Sequence, residues 1–504
     1  MTGVLLFVAF PGGGELWPLV FVALVPVIHG SSKGLPRNSF MAGLSCGLVH
    51  YSLLLYWLVT VLAKYGGLPL YFAIPAFLLL VFYMSLYFGL FTVVAAFLSR
   101  SLPAHVLLFL LPALWVGIDW FRAVFLTGFP WMDLGYSLYA TPQLIQIADI
   151  LGHHGLTYLI VFVNYLLFLL VNRKKSAAAY LSLLLPGIVV LAGYGFYSHT
   201  RYQTIEGEIQ AQIPKGVGIG IVQGNMDQAV KWTASKQRET VDTYIGLTKS
   251  LESEYPLQFV VWPETAMPFY PSASTETLTL IDFATSSGLA ILTGSPWYEM
   301  IDVEARKMKF YNSAFLLQPD GKIGGSYYKS HLVPFGEYVP LKQFLPFLAP
   351  LVEAVGDFSP GTIEKPIGHQ RVRAGVLICF ESVFPELSRS WVKADANLLV
   401  NLTNDAWYGK SSAPDHSLAM TVLRAVETRR AVVRSANTGI SAFIAPDGRI
   451  TKQSEIFVPW AAASTVVLLE NRTFWVRYGY LFGPVCLLIG LCGTLFVYFR
   501  QRWV

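Results

Sequence analysis

The chain has 504 residues, of which 54% are hydrophobic and 13% are charged, and its mean hydropathy is +0.50. This composition excludes an ordinary soluble domain, because such domains carry about 25% charged residues. The formal net charge of +5 is accompanied by no basic stripe with interleaved aromatic residues, so nothing points to nucleic acid as a partner.

Long apolar runs fill the first 197 residues and return near the C-terminus. We count eight candidate membrane spans of roughly bilayer-crossing length, at about residues 2–11, 15–30, 40–62, 69–98, 104–124, 155–172, 177–197 and 478–499. The first run is too short to cross alone unless it is re-entrant. We expect no signal peptide, because no basic segment precedes this run and no small-residue cleavage site follows it.

Basic residues predict the orientation of this bundle. They follow the second, fourth, sixth and eighth runs, as Lys33, Arg37, Arg100, Arg173, Lys174, Lys175, Arg500 and Arg502. These are alternate loops, so all of them can be cytoplasmic under the positive-inside rule. The long segment between the seventh and eighth runs is then expected on the exoplasmic side.

That segment reads as an inserted α/β domain. We predict a transmembrane bundle at 1–205, a catalytic domain at 206–472, and a final transmembrane helix with a cytoplasmic tail at 473–504. Within the domain we predict strands at 217–222, 259–262, 290–293, 374–378 and 397–401, helices at about 234–252, 275–287, 384–393 and 416–429, and hairpins at 310–328 and 433–453. The second half loosely repeats the first, which favours a two-sheet sandwich covered by helices.

Cysteine usage singles out one residue. Cys46, Cys486 and Cys492 lie in apolar runs, which leaves Cys379 alone in the domain. A lone thiol cannot form a structural disulfide within the domain, and no CxxC or histidine pairing indicates a metal site. A free exoplasmic thiol is an oxidation hazard, so its presence suggests that it is used.

Three strand ends carry reactive side chains: Glu264 in WPETAMP, Lys329 in YYKSHLVPFGEYVP and Cys379 in ICFES. Taken singly, each has an ordinary alternative as a helix cap, a solvated lysine or a buried structural thiol. Together, a carboxylate, an ammonium and a thiol meet the needs of acyl transfer. Glu264 can take the thiol proton, and Lys329 can stabilise the thiolate and the later oxyanion.

Further residues near these ends can assist. The backbone N–H of Phe380 can add a donor to the oxyanion. Glu337 and Glu381 could fix the lysine and orient the base, although Glu381 could also be a simple surface residue.

The motifs WPETAMP, YYKSHLVPFGEYVP, ICFES and TNDAWYG resemble the nitrilase-like domain of the bacterial apolipoprotein N-acyltransferase family. The likeness extends over nearly the whole chain, including LTGFPWMDLGYS at 126–137 and VQGNMDQAVKW at 222–232. It implies a helical bundle of about eight spans with an inserted αββα sandwich. It also implies a multi-pass protein of the inner membrane with a periplasmic catalytic domain.

The resemblance assigns roles residue by residue. Glu264 matches the general base, Lys329 the oxyanion-stabilising residue and Cys379 the nucleophile. Two supporting acidic positions match Glu337 and Glu381. Trp232 matches an aromatic residue near the lipid entrance, and Phe380 stands where a tyrosine is common.

The implied reaction has two steps and no cofactor. Cys379 takes an acyl chain from a membrane phospholipid such as phosphatidylethanolamine. The N-terminal amine of a diacylglyceryl-cysteine on an apolipoprotein then attacks the thioester. An α-amino group has a pKa of about 7.7–8.0, so about a tenth of it is neutral and nucleophilic near pH 7.

Two other functions stay open from the residues alone. A membrane-anchored nitrilase-type amidase would use the same chemistry on a small substrate, although the apolar loop at 334–352 favours contact with lipid. A transporter or binding scaffold is disfavoured, because ionisable candidates such as His50, Asp119 and His154 lie near span ends or in loops rather than at mid-membrane.

Overall fold

The computed structural model describes residues 1–31, 35–171, 177–227, 231–302, 307–338 and 358–502. Within these ranges, a helical bundle precedes an α/β domain, and a final helix packs back onto the bundle. The predicted apolar loop at 334–352 lies outside the described residues from position 339 onward.

Five helices in the described ranges are long and apolar enough to cross a membrane, and a bent pair of helices could form a sixth span. The five are Leu70–Ser99, Ala104–Val124, His153–Val171, Leu183–Lys215 and Gly479–Arg502, and the pair is Pro36–Leu54 with Trp57–Tyr65, bent by 53°. The count of eight is therefore not confirmed and remains a prediction.

The first two predicted spans form shorter helices. The first helix, Thr2–Ala9, ends ahead of the Pro11–Gly14 turn, where Gly12 has φ +70°. Proline and left-handed glycine cannot continue a helix, so this turn cuts the apolar run short. The second run gives the apolar helical segment Trp17–Ser31.

Two of the long helices present apolar side chains outward. In the most apolar 18-residue stretch of each helix, the buried share is 17% for Leu183–Lys215 and 22% for Gly479–Arg502, compared with 72% for His153–Val171. Exposed apolar faces of this extent require lipid rather than water around them. The last helix approaches the bundle closely at Gly117, where an added Cβ would lie 2.5 Å from the Leu487 backbone.

Buried ion pairs join the bundle to the domain. The helix Ala177–Gln212 continues without a break through the predicted boundary at residue 205. Its Arg201 and the domain residue Arg429 both bond Asp149, at 2.7 and 2.8 Å. Asp149 precedes the span that starts at His153, so the contact fixes the domain against one end of the bundle.

The domain is built from two six-stranded sheets. The first eleven strands, in chain order, are β1 Val217–Gln223, β2 Phe259–Val261, β3 Ala290–Asp302, β4 Lys307–Leu317, β5 Ile323–Tyr328, β6 Ile367–His369, β7 Val372–Ile378, β8 Leu398–Thr403, β9 Ala431–Ala436, β10 Ala442–Ile444 and β11 Ile450–Gln453. The twelfth strand, β12 Trp460–Val466, returns to the first sheet.

The sheets have equivalent orders, β12-β1-β2-β3-β4-β5 and β11-β10-β9-β8-β7-β6. In each, three central strands are parallel (β1 to β3 and β7 to β9) and the flanking strands are antiparallel. The sheets meet along β1 and β9, where Ser435 Oγ donates to the carbonyl groups of Val222 and Val261. The predicted repeat and the two-sheet sandwich are confirmed.

Four helices cover the outer faces of the sandwich: Ala234–Glu254 and Glu276–Ser287 on the first sheet, and Pro385–Lys393 and Ala413–Thr428 on the second. Alternate strand residues face opposite sides of a sheet. Thus Val222 packs among the outer helices, whereas Ile221 packs between the sheets.

Each of the two predicted hairpin segments contains a Pro-Asp-Gly turn, at 319–321 and 446–448, with Gly321 at φ +79° and Gly448 at φ +90°. β3 is longer than predicted, because it continues to Asp302 and pairs with β4 along a long hairpin. β12 was not predicted. It pairs antiparallel with β1, Val217 opposite Val466, and so closes the domain near the point where the chain entered it.

Candidate active site

The three predicted reactive residues meet at one edge of the sandwich. Glu264 follows β2, Lys329 directly follows β5 and Cys379 directly follows β7. Glu264 and Lys329 each affect the pKa of the other two residues, and Cys379 affects that of Lys329, so the three lie within electrostatic reach. The sequence-based grouping therefore corresponds to a spatial cluster.

Lys329 is held by a bidentate ion pair. Its Nζ lies 3.0 and 2.9 Å from the two carboxylate oxygens of Glu337, and the lysine is only 1% exposed. Burial lowers the pKa of Lys329, but Glu337 and then Cys379 and Glu264 raise it, with a net upward shift. The ammonium is therefore fully charged when the reaction begins.

Asn312, which the sequence analysis missed, links the two carboxylates. Its Nδ2 donates to Glu264 Oε1 and to Glu337 Oε1, both at 2.8 Å, and its backbone oxygen accepts from the Lys329 N–H at 2.9 Å. The signal in the sequence is weak, since Asn312 is a single amide within the strand β4 and belongs to none of the recognised motifs.

Glu264 keeps one oxygen available. Its Oε1 accepts from Asn312, while Oε2 is buried and has no hydrogen-bond partner among the described residues. Burial raises the pKa of Glu264 above its ordinary value, Lys329 lowers it and Glu337 raises it, with a net upward shift. A raised pKa and an unpartnered oxygen suit a group that accepts a proton during the reaction.

Cys379 occupies a constrained position at the end of β7. Its φ is +53°, a left-handed value that a non-glycine residue adopts only when the surroundings enforce it. Burial and Glu264 raise the pKa of the thiol and Lys329 lowers it, with a net value of about 12. The resting residue is thus a thiol, and any reaction of its sulfur requires a group that takes the proton.

Glu381 joins two segments of the site through hydrogen bonds. It is fully buried, which excludes the surface alternative, and its Oε1 accepts from the Tyr327 hydroxyl and from the backbone N–H groups of Ser330 and His331 at 2.7 to 3.0 Å. Its Oε2 accepts from the Ile378 N–H at 2.7 Å. It therefore ties the chain after Lys329 to the chain before Cys379.

Phe380 connects the nucleophile to the membrane bundle. Its ring stacks on Trp131 and Phe129, each at 6.4 Å between ring centroids, and meets Phe384 edge-on at 5.0 Å. Phe129 and Trp131 belong to the 126–137 motif of the bundle. Aromatic side chains thus form the wall between the catalytic thiol and the apolar helices.

Trp232 is 48% exposed and stands beside Lys231, whose Nζ lies 5.8 Å from the indole centroid. Its ring is therefore free to meet an apolar substrate at the edge of the site. The structure places Trp232 at the end of the loop that follows β1.

One group of described residues has a metal-ligand composition: Asp133, His153 and His154, with ligand atoms within 4.8 Å of one another. Two of its members already have partners, because Arg122 pairs with Asp133 and Glu427 bonds His153 at 3.1 Å. Glu427 belongs to the domain and the two histidines to the bundle. The cluster is best described as a second ionic connection between them.

Comparison with known proteins identifies the family. The sequence model for the apolipoprotein N-acyltransferase N-terminal domain matches residues 2–166, and that for carbon-nitrogen hydrolase matches residues 218–457. An apolipoprotein N-acyltransferase of Geobacter metallireducens is 40% identical, over 96% of this chain and 92% of the relative. One of Gloeobacter violaceus is 34% identical, over 95% and 89%.

The chain belongs to the apolipoprotein N-acyltransferase family. It is accordingly an acyltransferase of lipoprotein maturation with a nitrilase-like domain. Among solved structures, an amidase from Nesterenkonia sp. aligns with 52% of this chain and 93% of its own, at 18% identity and a TM-score of 0.38.

Proposed function

We propose that this apolipoprotein N-acyltransferase moves an acyl chain from a membrane phospholipid to the N-terminal amine of a diacylglyceryl-cysteine, through a thioester on Cys379. The observation that carries the proposal is the hydrogen-bonded series Glu264–Asn312–Glu337–Lys329 beside a cysteine held at φ +53°. This series supplies a proton acceptor and a fixed cation to one thiol.

In the first step, Glu264 Oε2 accepts the Cys379 proton while the sulfur attacks the ester carbonyl of the phospholipid. The carbonyl oxygen becomes an oxyanion, which the Lys329 ammonium stabilises with help from the Phe380 N–H. When the tetrahedral intermediate collapses, the C–O bond breaks and the protonated Glu264 returns its proton to the alkoxide. The products are a lysophospholipid and the Cys379 thioester.

In the second step, the neutral N-terminal amine of the apolipoprotein attacks the thioester carbonyl. Glu264 accepts a proton from the attacking nitrogen, and Lys329 again stabilises the oxyanion. The C–S bond then breaks, the amide is formed, and the thiolate recovers its proton from Glu264. The residue set is restored to its starting protonation state, so the cycle has ping-pong character.

The aromatic wall supports lipids as substrates. Phe380, Phe129 and Trp131 join the thiol to apolar helices, so an acyl chain can remain in apolar surroundings while its ester reaches Cys379. Exclusion of water from this side protects the thioester from hydrolysis. Glu337 and Glu381 act as positioning residues, and Trp232 contacts the incoming lipid.

Intact-mass measurement tests the proposed function. The purified protein in phospholipid micelles is expected to gain the mass of one acyl chain, located at Cys379. Addition of a diacylated lipopeptide with a free amine should remove this mass and give an N-acylated peptide. A lipopeptide with a blocked amine is the control and should leave the acyl-enzyme intact. Release of free fatty acid or ammonia without aminolysis would instead indicate a hydrolase.

We also propose that the domain is periplasmic and that the bundle lies in the inner membrane. Gln501 Nε2 donates to Ser101 Oγ at 2.8 Å, so the C-terminal end of the last helix and the Arg100 loop share one end of the bundle. That end carries the basic residues that the positive-inside rule places in the cytoplasm. Asp149, which pairs with the domain, marks the opposite end.

Cysteine labelling tests this orientation. In a chain whose four native cysteines are replaced by serine, Ser253→Cys on the exposed face of the domain is expected to react with a membrane-impermeant thiol reagent in spheroplasts. Ser101→Cys should react only after the membrane is permeabilised. The opposite labelling pattern would overturn the proposed orientation.

A further inference from the structure

Lys231 is a buried lysine to which the two-step mechanism assigns no role. It is only 2% exposed and is among the largest fully buried side chains of the described chain. Lysine is almost never fully buried unless a partner compensates its charge. Its location therefore needs a specific reason.

The loop that carries Lys231 leaves the first sheet at the catalytic edge. β1 and β2 are parallel neighbours, with Ile221 opposite Val261, so their carboxyl ends lie side by side. Glu264 follows β2 and Lys231 lies in the loop after β1. The topology alone thus brings the lysine to the side of the sandwich that holds the proposed base.

Hydrogen bonds fasten the start of this loop. Asn437, at the end of β9, accepts from the Asn225 and Met226 N–H groups, each at 2.9 Å, and its Nδ2 donates to the Met226 oxygen at 2.8 Å. The same Nδ2 donates to Asn404 Oδ1 at 3.1 Å. The Lys231 N–H itself donates to the Asp227 oxygen at 3.2 Å. The start of the loop is therefore tied to the second sheet, and the Lys231 backbone bonds back to Asp227 near that start.

The electrostatics of Lys231 and Glu264 are reciprocal. Burial lowers the pKa of Lys231 to about 8, and Glu264 is the charge that opposes this shift. Conversely, burial raises the pKa of Glu264, and Lys231 is one of the groups that lower it. With a pKa of about 8, about nine-tenths of Lys231 is still charged near pH 7.

The other groups that face Glu264 do not remove the need for this cation. They are Lys329, Glu337, Asn312, Cys379 and Tyr408. Lys329 is bound to both oxygens of Glu337, and during the reaction its charge is shared with the oxyanion. Glu337 opposes ionisation of Glu264. Lys231 approaches from a different loop, after β1, and among the described residues has no carboxylate bound to it as Lys329 has, so its charge acts on the resting Glu264 carboxylate.

We propose that Lys231 is a positioning residue for the base: its buried ammonium keeps the Glu264 carboxylate ionised and ready to take the Cys379 proton. The inference rests on the proposed role of Glu264. It also accounts for the burial of this lysine at the edge where the parallel strands β1 and β2 end.

The test uses a reaction that needs the base but no lipid. Alkylation of Cys379 by iodoacetamide is followed as a function of pH in the full-length protein in detergent micelles, by mass spectrometry of the Cys379 peptide. The wild-type rate should rise with pH as Glu264 ionises, because the carboxylate takes the thiol proton. The rising part of this pH–rate profile, here called the acid limb, is measured at pH values below the pKa of Lys231.

Lys231→Met removes the charge and keeps an unbranched chain. It is expected to move the acid limb to higher pH by about one unit, the effect of losing an opposite charge close to a carboxyl. Lys231→Arg should restore the wild-type limb. Lys236→Met is the matched control, because this exposed lysine pairs with Glu239 at 2.6 Å on the adjoining helix and should leave the limb unchanged.

If Lys231 served packing alone, its replacement would change the amount of folded protein but not the pH at which the acid limb lies. Lys231→Gln, which retains a polar end, is measured in parallel so that misfolding of one variant does not decide the result. An unmoved limb in folded Lys231→Met or Lys231→Gln overturns the inference.

The Glu264→Gln variant separates this inference from the mechanism on which it rests. It should abolish the acid limb. If Glu264→Gln keeps the wild-type limb, the base is misassigned and the inference on Lys231 falls with it. If Glu264→Gln abolishes the limb while neutral Lys231 variants leave it in place, the inference on Lys231 alone is wrong.

Discussion

Replacement of Cys379 with serine is expected to abolish the acyl-enzyme and to lower lipopeptide acylation by at least about a thousandfold, as loss of a catalytic nucleophile does elsewhere. Serine fits the same space at the end of β7, but its hydroxyl is far less acidic than a thiol. Glu264 with its raised pKa is still a carboxylate, too weak a base to activate that hydroxyl. Acylation is measured by intact mass and by formation of N-acyl lipopeptide.

The control for this variant is Cys46→Ser, because Cys46 lies in the helix Pro36–Leu54, within the bundle. It should retain full activity. Thermal unfolding of Cys379→Ser should match that of the wild type, since the substitution leaves the Glu381 hydrogen bonds around it intact. Substantial acylation by folded Cys379→Ser would mean that another group is the nucleophile.

The sequence was enough to group Glu264, Lys329 and Cys379 because each is a reactive side chain where an apolar strand ends. Such positions stand out against their surroundings, and parallel strands deliver their ends to one edge. Asn312 lies inside β4, and its role depends on its contacts with two carboxylates from other segments, Glu264 and Glu337. Contacts of this kind are fixed by tertiary packing and leave no pattern in the local sequence.

Glu381 illustrates a different limit. Its place two residues after the nucleophile predicted a supporting role, and the resemblance reinforced that prediction. The spacing did not indicate which groups Glu381 contacts, because its partners are backbone N–H groups near residue 330 and at Ile378. The fully buried carboxylate is stabilised by these donors, which explains why the position holds an acid within an apolar sandwich.

The span count of eight stays a prediction, and one of its runs shows what hydropathy leaves out. Hydropathy treats residues 40–62 as one continuous run, but the helix breaks between Leu54 and Trp57 and bends by 53°. At this break Trp57 packs against Trp131 of the bundle and Tyr408 of the domain. The regular helix is therefore interrupted where the bundle contacts the domain. β12 was missed because in its WAAASTV segment Trp460 is followed by three alanines, which carry little strand signal.

Lys329→Ala is expected to lower the rate of thioester formation about a hundredfold or more, because the oxyanion loses its cation. The variant also leaves Glu337 as a buried carboxylate without its ion-pair partner. Breaking a buried pair in this way costs about 3–5 kcal/mol, so the free energy of unfolding should fall as well. Lys322→Ala is the matched control, because Lys322 is exposed on the hairpin before the site and should affect neither quantity.

The double variant Lys329→Ala with Glu337→Gln separates stability from catalysis. The neutral amide no longer leaves an unpaired charge in the interior, and it can still bond the Val333 N–H through its oxygen. Thermal unfolding should therefore recover toward the wild-type temperature, whereas single-turnover thioester formation, measured by intact mass, should stay as low as in Lys329→Ala. Recovery of both quantities would mean that Lys329 only balances Glu337 and does not stabilise the oxyanion. Recovery of stability alone, with the thioester still missing, is the result expected of a cation whose charge acts on the reacting carbonyl.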